Sequence, residues 1–319
     1  MKKLIILSLI VSITTLFSCQ EKYNENYQAE ANNPELLHRS MKQLTDVIVH
    51  NIFSPPVASR IYAYPSIAAY EVMAQSDSIY QSLDGQLTDL KNVPKPNPNK
   101  EYCFPLASIQ AFLTASKAFI FTEDDITNFE KEILAEFKAI KMPQKVYENS
   151  ITYGNQMAQH IIEWSKSDMY AETRTYSKYT LTDDEGKWEP TPPDFMDGIE
   201  PHWRDIRPFV LDSAQQFVPE MPTAFSTKKG SLFYQEAMEA YKKGKKYSAV
   251  QLEELSDEIK ENIAIAKFWD CNPFVSHHQG HVMFATKKIT PGGHWINITA
   301  IASRQAKSDF METTASYAL

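Results

Sequence analysis

The densest group of imidazoles is Ser276-His277-His278-Gln279-Gly280-His281. On a helix, His277 and His281 would share a face at four-residue spacing and could ligate one metal ion, with His278 three residues before His281. The glutamate that follows the first histidine in the zinc-protease pattern is absent, and Gly280 and the preceding Pro273 disfavour a regular helix. These histidines are therefore expected to be structural or surface residues, with no metal bound. A second group, His202-Trp203-Arg204-Asp205-Ile206-Arg207-Pro208-Phe209, is dense in donors and aromatic area. It could contact an anion, but the favoured reading is a turn whose arginines pin the surrounding segment to helices by charge-assisted hydrogen bonds. The carboxylates Glu123, Asp124 and Asp125 stand at a helix start, where they favour the helix dipole. There is no Ser-His-Asp order, phosphate loop or dinucleotide fingerprint, so no catalytic residue is expected in this chain.

The N-terminus carries a different chemistry. Lys2 and Lys3 precede the apolar run Leu4 to Leu16, and Leu16-Phe17-Ser18-Cys19 closes it with a small residue before a cysteine. The run is too short for a permanent span, which needs ~20 apolar residues, and it fits a lipoprotein signal peptide over 1–18. Cys19 is the expected lipidation site, although Phe17 departs from the small residue usual there. Several acyl chains, each contributing about 0.8 kcal/mol per buried methylene, would anchor the chain stably. The expected location is the cell envelope, at the outer membrane or the periplasmic face, with the membrane as a partner through the lipid.

The elements that must position these groups read as helices. Glu21 to Asn32 lacks a hydrophobic period, so 19–33 is expected to be a flexible tether. Asn33-Pro34 looks like a helix start, followed by Leu37, Met41, Leu44, Val47 and Ile48 on one face. Further helical patterns cover 58–74, 106–121, a stretch after a capping-box-like Thr122 and Asp125, and another after Pro143. Pro65 predicts a kink or a helix start within the first of these. Residues 83–100 read as a loop. From 170 to 230 prolines recur without helical period, as in a lid or a segment wrapping the helices. Helices resume at 232–242 and 248–269, and a last helical region runs from His294. Trp295-Ile296-Asn297-Ile298-Thr299 is the one short β-like run. The fold class expected is all-α, a multi-helix bundle with a long proline-rich wrapping segment.

Composition agrees with a globular body: 43% of residues are hydrophobic and 12% aromatic, enough for a sizeable core. Nine glycines against 18 prolines argue against a glycine-rich nucleotide-binding architecture. The net charge of -8 disfavours nonspecific nucleic-acid binding, and no nucleic-acid partner is expected. Cys103 and Cys271 are expected to be unpaired and buried, although in an oxidising compartment they could pair.

Several segments together resemble a known family. They are Ser54-Pro-Pro-Val-Ala-Ser-Arg-Ile-Tyr-Ala-Tyr64, Gly186-Lys-Trp-Glu-Pro-Thr-Pro-Pro193 leading to His202-Trp203 and Arg207-Pro208-Phe209, Ala266-Lys-Phe-Trp-Asp270, and Gly293-His-Trp-Ile-Asn297. Their order and spacing resemble the N-terminal half of bacterial lipoproteins related to vanadium-dependent haloperoxidases and type-2 phosphatidic-acid phosphatases. The resemblance covers nearly all of 34–319. It implies a protein that, at full length, oxidises halide with peroxide using vanadate, or hydrolyses phosphate esters. The family's oxyanion-binding motifs do not match here. The lysine seven residues before the arginine is Glu200, the serine of Pro-Ser-Gly-His is Gly292 in Pro291-Gly292-Gly293-His294, and the histidine expected after Ser303-Arg304 is Phe310.

The resemblance therefore implies that the catalytic helical half lies beyond residue 319, in the same or a separate polypeptide, and that this chain holds no cofactor by itself. The apolar Met311 to Leu319 is expected to expose a face that a following helix should cover. The competing reading is a helical surface lipoprotein that binds a glycan or a protein partner.

Overall fold

A computed structural model describes residues 23–76, 78–192, 195–248, 256–268, 274–279 and 282–319. The signal segment 1–18, Cys19, His281 and Cys271 lie outside the described residues.

The helices are α1 Tyr27–Ala31, α2 Pro34–His50, α3 Pro55–Ala74, α4 Phe104–Lys117, α5 Glu123–Ala139, α6 Gln144–Ser165, α7 Tyr170–Thr173, α8 Leu232–Ser248, α9 Asp257–Phe268, α10 Pro291–Ala306 and α11 Phe310–Ala318. The architecture is all-α, as the periodicity predicts. Among the described residues one two-stranded antiparallel sheet interrupts it, β1 Phe274–Gln279 paired with β2 Val282–Lys287. No helix among the described residues is long and apolar enough to cross a membrane.

The core is built from α3 and α4, which pack on each other, with α6 against both and α2, α5 and α11 around them. α3 and α4 are buried on nearly every side, and Tyr64, Ile61, Phe112, Leu106 and Ile109 are fully enclosed. Such all-round apolar helices are what a bundle centre requires. Pro65 sits within α3, which runs unbroken from Pro55 to Ala74, so the helix neither starts nor stops there. Gly154 lets α6 approach α4: a Cβ there would lie 2.4 Å from the Ala107 carbonyl oxygen.

Local signals explain most helix starts. Asn33 caps α2, its side chain accepting from the Glu35 N–H at 3.0 Å, and Pro34 occupies the first turn. The Thr122 and Asp125 pattern does not form the expected cap. No side-chain cap bond forms there, and the Thr122 hydroxyl instead accepts from the Asn51 amide at 3.2 Å. A full capping box occurs at Asp309 and Glu312, which starts α11.

Four further expectations need correction. The supposed tether is partly ordered: α1 buries Tyr27 and Ala31, because an aromatic and a small residue four positions apart reach the core from one helical face. The β-like run 295–299 is helical, lying within α10. Thr290 caps this helix and Pro291 sits in its first turn, and packing of Gly293 and Ala300 outweighs the low helix propensity of the β-branched residues.

The terminal helix α11 does not expose its apolar face. Phe310, Met311, Ala315 and Tyr317 are buried, and the helix packs on α3, α2 and α10. The proline-rich segment, finally, wraps the helices only locally. Ile206 is buried and Phe209 packs against the core, whereas Phe217 is 76% and Met221 86% exposed.

Candidate functional site

Two polar clusters among the described residues gather arginines or a histidine with buried partners. The first joins α3, the end of α6 and the proline-rich segment around Asp168, which is fully buried. The Tyr64 hydroxyl donates to the Asp168 carboxylate, as does the Tyr170 N–H at 2.8 Å. Arg60 Nη1 lies 3.5 Å from the same carboxylate, and its Nη2 donates to the Arg207 carbonyl at 2.7 Å. Arg207 donates to the Ser167 hydroxyl at 3.0 Å and to the Trp164 carbonyl at 3.1 Å, while its backbone N–H donates to the Asp168 carbonyl at 2.9 Å. Phe209 stacks on Trp164, and the Arg60 guanidinium lies 4.1 Å from its ring centroid.

Burial pushes the Asp168 carboxyl above its usual range, opposed by the Tyr170 N–H and the two guanidinium groups. Burial likewise lowers Arg60 and Arg207 from their ordinary values. Neither arginine presents a free fork to a ligand. Arg207 is the turn anchor that its surrounding aromatic residues suggest.

The second cluster lies where α2, α10 and α11 meet. The buried His38 ring is 2.6 Å through Nδ1 from the Tyr317 hydroxyl, and Arg304 holds Glu35 through two bonds of 2.9 and 2.8 Å. A hollow of about 210 Å³ adjoins them, lined in part by His38, Met41, Asp46, Ile289, Ile296 and Arg304. Burial lowers the His38 pKa, and the Arg304 charge adds to this against Glu35.

The folded state therefore favours neutral His38. Above its ordinary pKa of 6.5 the contribution is fully present, and it is lost as pH falls below that value, where the unfolded chain takes up the proton first. Thermal unfolding followed from pH 8 to pH 5 should show a decline that the His38→Gln variant lacks. Equal slopes in both proteins would contradict this role.

The other candidate residues are dispersed. His277 and His278 are consecutive residues of β1, in register with Phe284 and Met283, so the helical spacing that suggested a shared metal does not exist. No group of three or more His, Cys, Asp or Glu among the described residues is arranged to hold a metal. Arg204 is exposed beside Asp205 at 3.6 Å, and the His202 ring lies 2.8 Å from the Ser177 carbonyl oxygen. His294 meets Phe268 edge-on at 4.8 Å. Cys103 is a free, buried thiol whose pKa burial pushes up to about 11, so it is an inert core residue. Arg60 stands out in the sequence only as part of the Ser54–Tyr64 segment, Glu35-x-x-His38 leaves a trace as two titratable residues at helical spacing, and Asp168 leaves none.

The comparison with solved structures decides the relationship. The chain superposes on a bacterial vanadium-dependent iodoperoxidase with a TM-score of 0.80 and 44% sequence identity, over 89% of this chain and 65% of that one. The chain is a relative of the vanadium-dependent haloperoxidases. It spans just under two thirds of the length of this haloperoxidase neighbour. No protein-family profile matches the chain, and no curated protein matches it.

A haloperoxidase relative raises the question of vanadate, a tetrahedral oxyanion that needs several cations and donors converging on one point. The described residues do not fit it. Glu200, at the lysine position, pairs with Arg174 at 3.2 Å. Gly292 has no hydroxyl, Phe310 is fully buried in the core, Arg207 is spent on Trp164 and Ser167, and Arg304 is spent on Glu35.

Proposed function

We propose that this chain is the scaffold half of a haloperoxidase-like lipoprotein, anchored to the cell envelope through Cys19. In this reading it carries out neither halide oxidation nor phosphate-ester hydrolysis by itself. The oxyanion-holding residues reside in a second helical part, on the same or a separate polypeptide. One observation carries the proposal: a chain 44% identical to an iodoperoxidase over 89% of its length commits its arginines to internal partners instead of a common hollow.

The signal peptide pattern before Cys19 supports anchoring at the outer membrane or the periplasmic face. A second reading, in which the body binds a glycan or a protein partner, draws on the exposed aromatic residues Tyr176, Tyr179, Trp188 and Phe217 of the proline-rich segment.

The test is a turnover assay on the purified mature chain, given orthovanadate, iodide and peroxide, and separately an aryl phosphate. Triiodide and phenolate release should stay at the protein-free rate. Sustained turnover by this polypeptide alone would overturn the proposal.

A further inference from the structure

The anchor, if attached at Cys19, enters the body at a defined place. The Asn24 N–H donates to the Lys141 carbonyl at 2.9 Å, in the turn between α5 and α6. The Tyr27 hydroxyl donates to the Glu101 carboxylate, and the Gln28 amide donates to the Tyr102 carbonyl at 3.0 Å. Tyr27 itself is buried, so α1 and the residues before it are fastened to the α5–α6 turn and to residues 101–102.

Only five peptide steps separate Cys19 from Asn24. At ~3.6 Å per step they reach about 18 Å at most, less than the length of α6. Covalent geometry thus holds this end of the body near whatever surface receives the acyl chains.

This end also presents exposed cations. Lys100, Lys138, Lys141 and Lys145 are solvent-facing, and none makes an ion pair among the described residues. Lys138 lies over the Tyr147 ring at 5.7 Å from its centroid. Glu25, Glu30 and Glu148 are exposed here as well, so net charge alone does not orient the body. The short reach does, and the lysines supply contacts suited to phosphate headgroups.

We propose that the end bearing α1 and the α5–α6 turn faces the lipid surface, with Lys100, Lys138, Lys141 and Lys145 toward anionic headgroups. The opposite end of α6, with the Asp168 cluster, then points away from the membrane. This orientation rests on the lipidation of Cys19 proposed above, and the test separates the two.

The full chain, processed in cells and purified with its lipid, is placed in phosphatidylcholine vesicles containing phosphatidylglycerol. In a Cys271→Ser background, with Cys103 buried, an environment-sensitive fluorophore is attached through Gln144→Cys or Lys166→Cys. These positions lie at the two ends of α6, about 33 Å apart at 1.5 Å per residue. Headgroup-linked nitroxide lipids should quench the label at 144 several-fold more than the label at 166.

Equal quenching, or stronger quenching at 166, in protein that floats with the vesicles would overturn the orientation while leaving the anchor intact. Flotation that persists in a Cys19→Ser variant would instead overturn the lipid anchor, and the orientation with it.

Discussion

Replacing Asp168 by alanine should cost the fold about 3–5 kcal/mol, the usual penalty for removing one partner of a buried ion pair. The carboxylate is fully buried and receives Tyr64, the Tyr170 N–H and Arg60. Without it, two guanidinium groups remain in a region that solvent hardly reaches, and the Arg207 Nε already has no partner there. Asp168→Asn keeps the shape and some of the hydrogen bonds, so it should fall between wild type and alanine. Chemical denaturation of the mature chain reads the difference directly. A loss below about 1 kcal/mol would place the pair among surface-like salt bridges and contradict the account. The same variant should also loosen residues 206–209, because Arg60, which donates to the Arg207 carbonyl, loses the carboxylate that holds it.

The Phe310→Ala variant should be destabilised by a similar amount, about 3–5 kcal/mol, through the lost burial and the cavity left behind. Phe310 is among the largest fully enclosed side chains, and it opens a helix that packs on α3. The prediction is specific because the sequence alone suggests the reverse, an apolar end waiting for a cover. If Phe310→Ala unfolds with wild-type stability, α11 is not an integral part of this body. Neighbouring Leu319, which is 81% exposed, serves as the control, and its replacement should have little effect.

The legible parts of this protein are those governed by local rules. Asn33-Pro34 specifies a cap and a first turn, and the recurrence of Leu37, Met41, Leu44 and Ile48 specifies the inward face of α2; both appear in the fold. The arginine-aromatic turn at 203–209 was readable because a charged side chain among Trp203, Pro208 and Phe209 has few other ways to be satisfied.

The illegible parts depend on distant partners. Asp168 gives no local sign of its role, since Arg60 and Tyr64 lie more than a hundred residues earlier. His38 meets Tyr317 across 279 positions. Thr122 was misread because a hydroxyl that could cap its own helix is captured by Asn51 from another. The spacing of the histidines at 277 and 278 would be informative only on a helix, and they stand in a strand. Residues 295–299 show the opposite effect, in which packing around Gly293 and Ala300 makes a helix from β-branched residues.

The resemblance to haloperoxidases is carried by structural segments such as Ser54 to Tyr64, which form the start of the central helix α3. Glu200, Gly292 and Phe310 depart from the oxyanion motifs in the sequence itself, whereas the internal partners of Arg207 and Arg304 are visible only in the fold.

The most direct measurement is a vanadium NMR titration of orthovanadate with the purified mature chain at neutral pH. The orthovanadate line should keep its width and position as protein is added, because among the described residues no set of cations converges on a common point. Saturable broadening with one site per chain, abolished by Arg207→Ala or Arg304→Ala, would contradict the account.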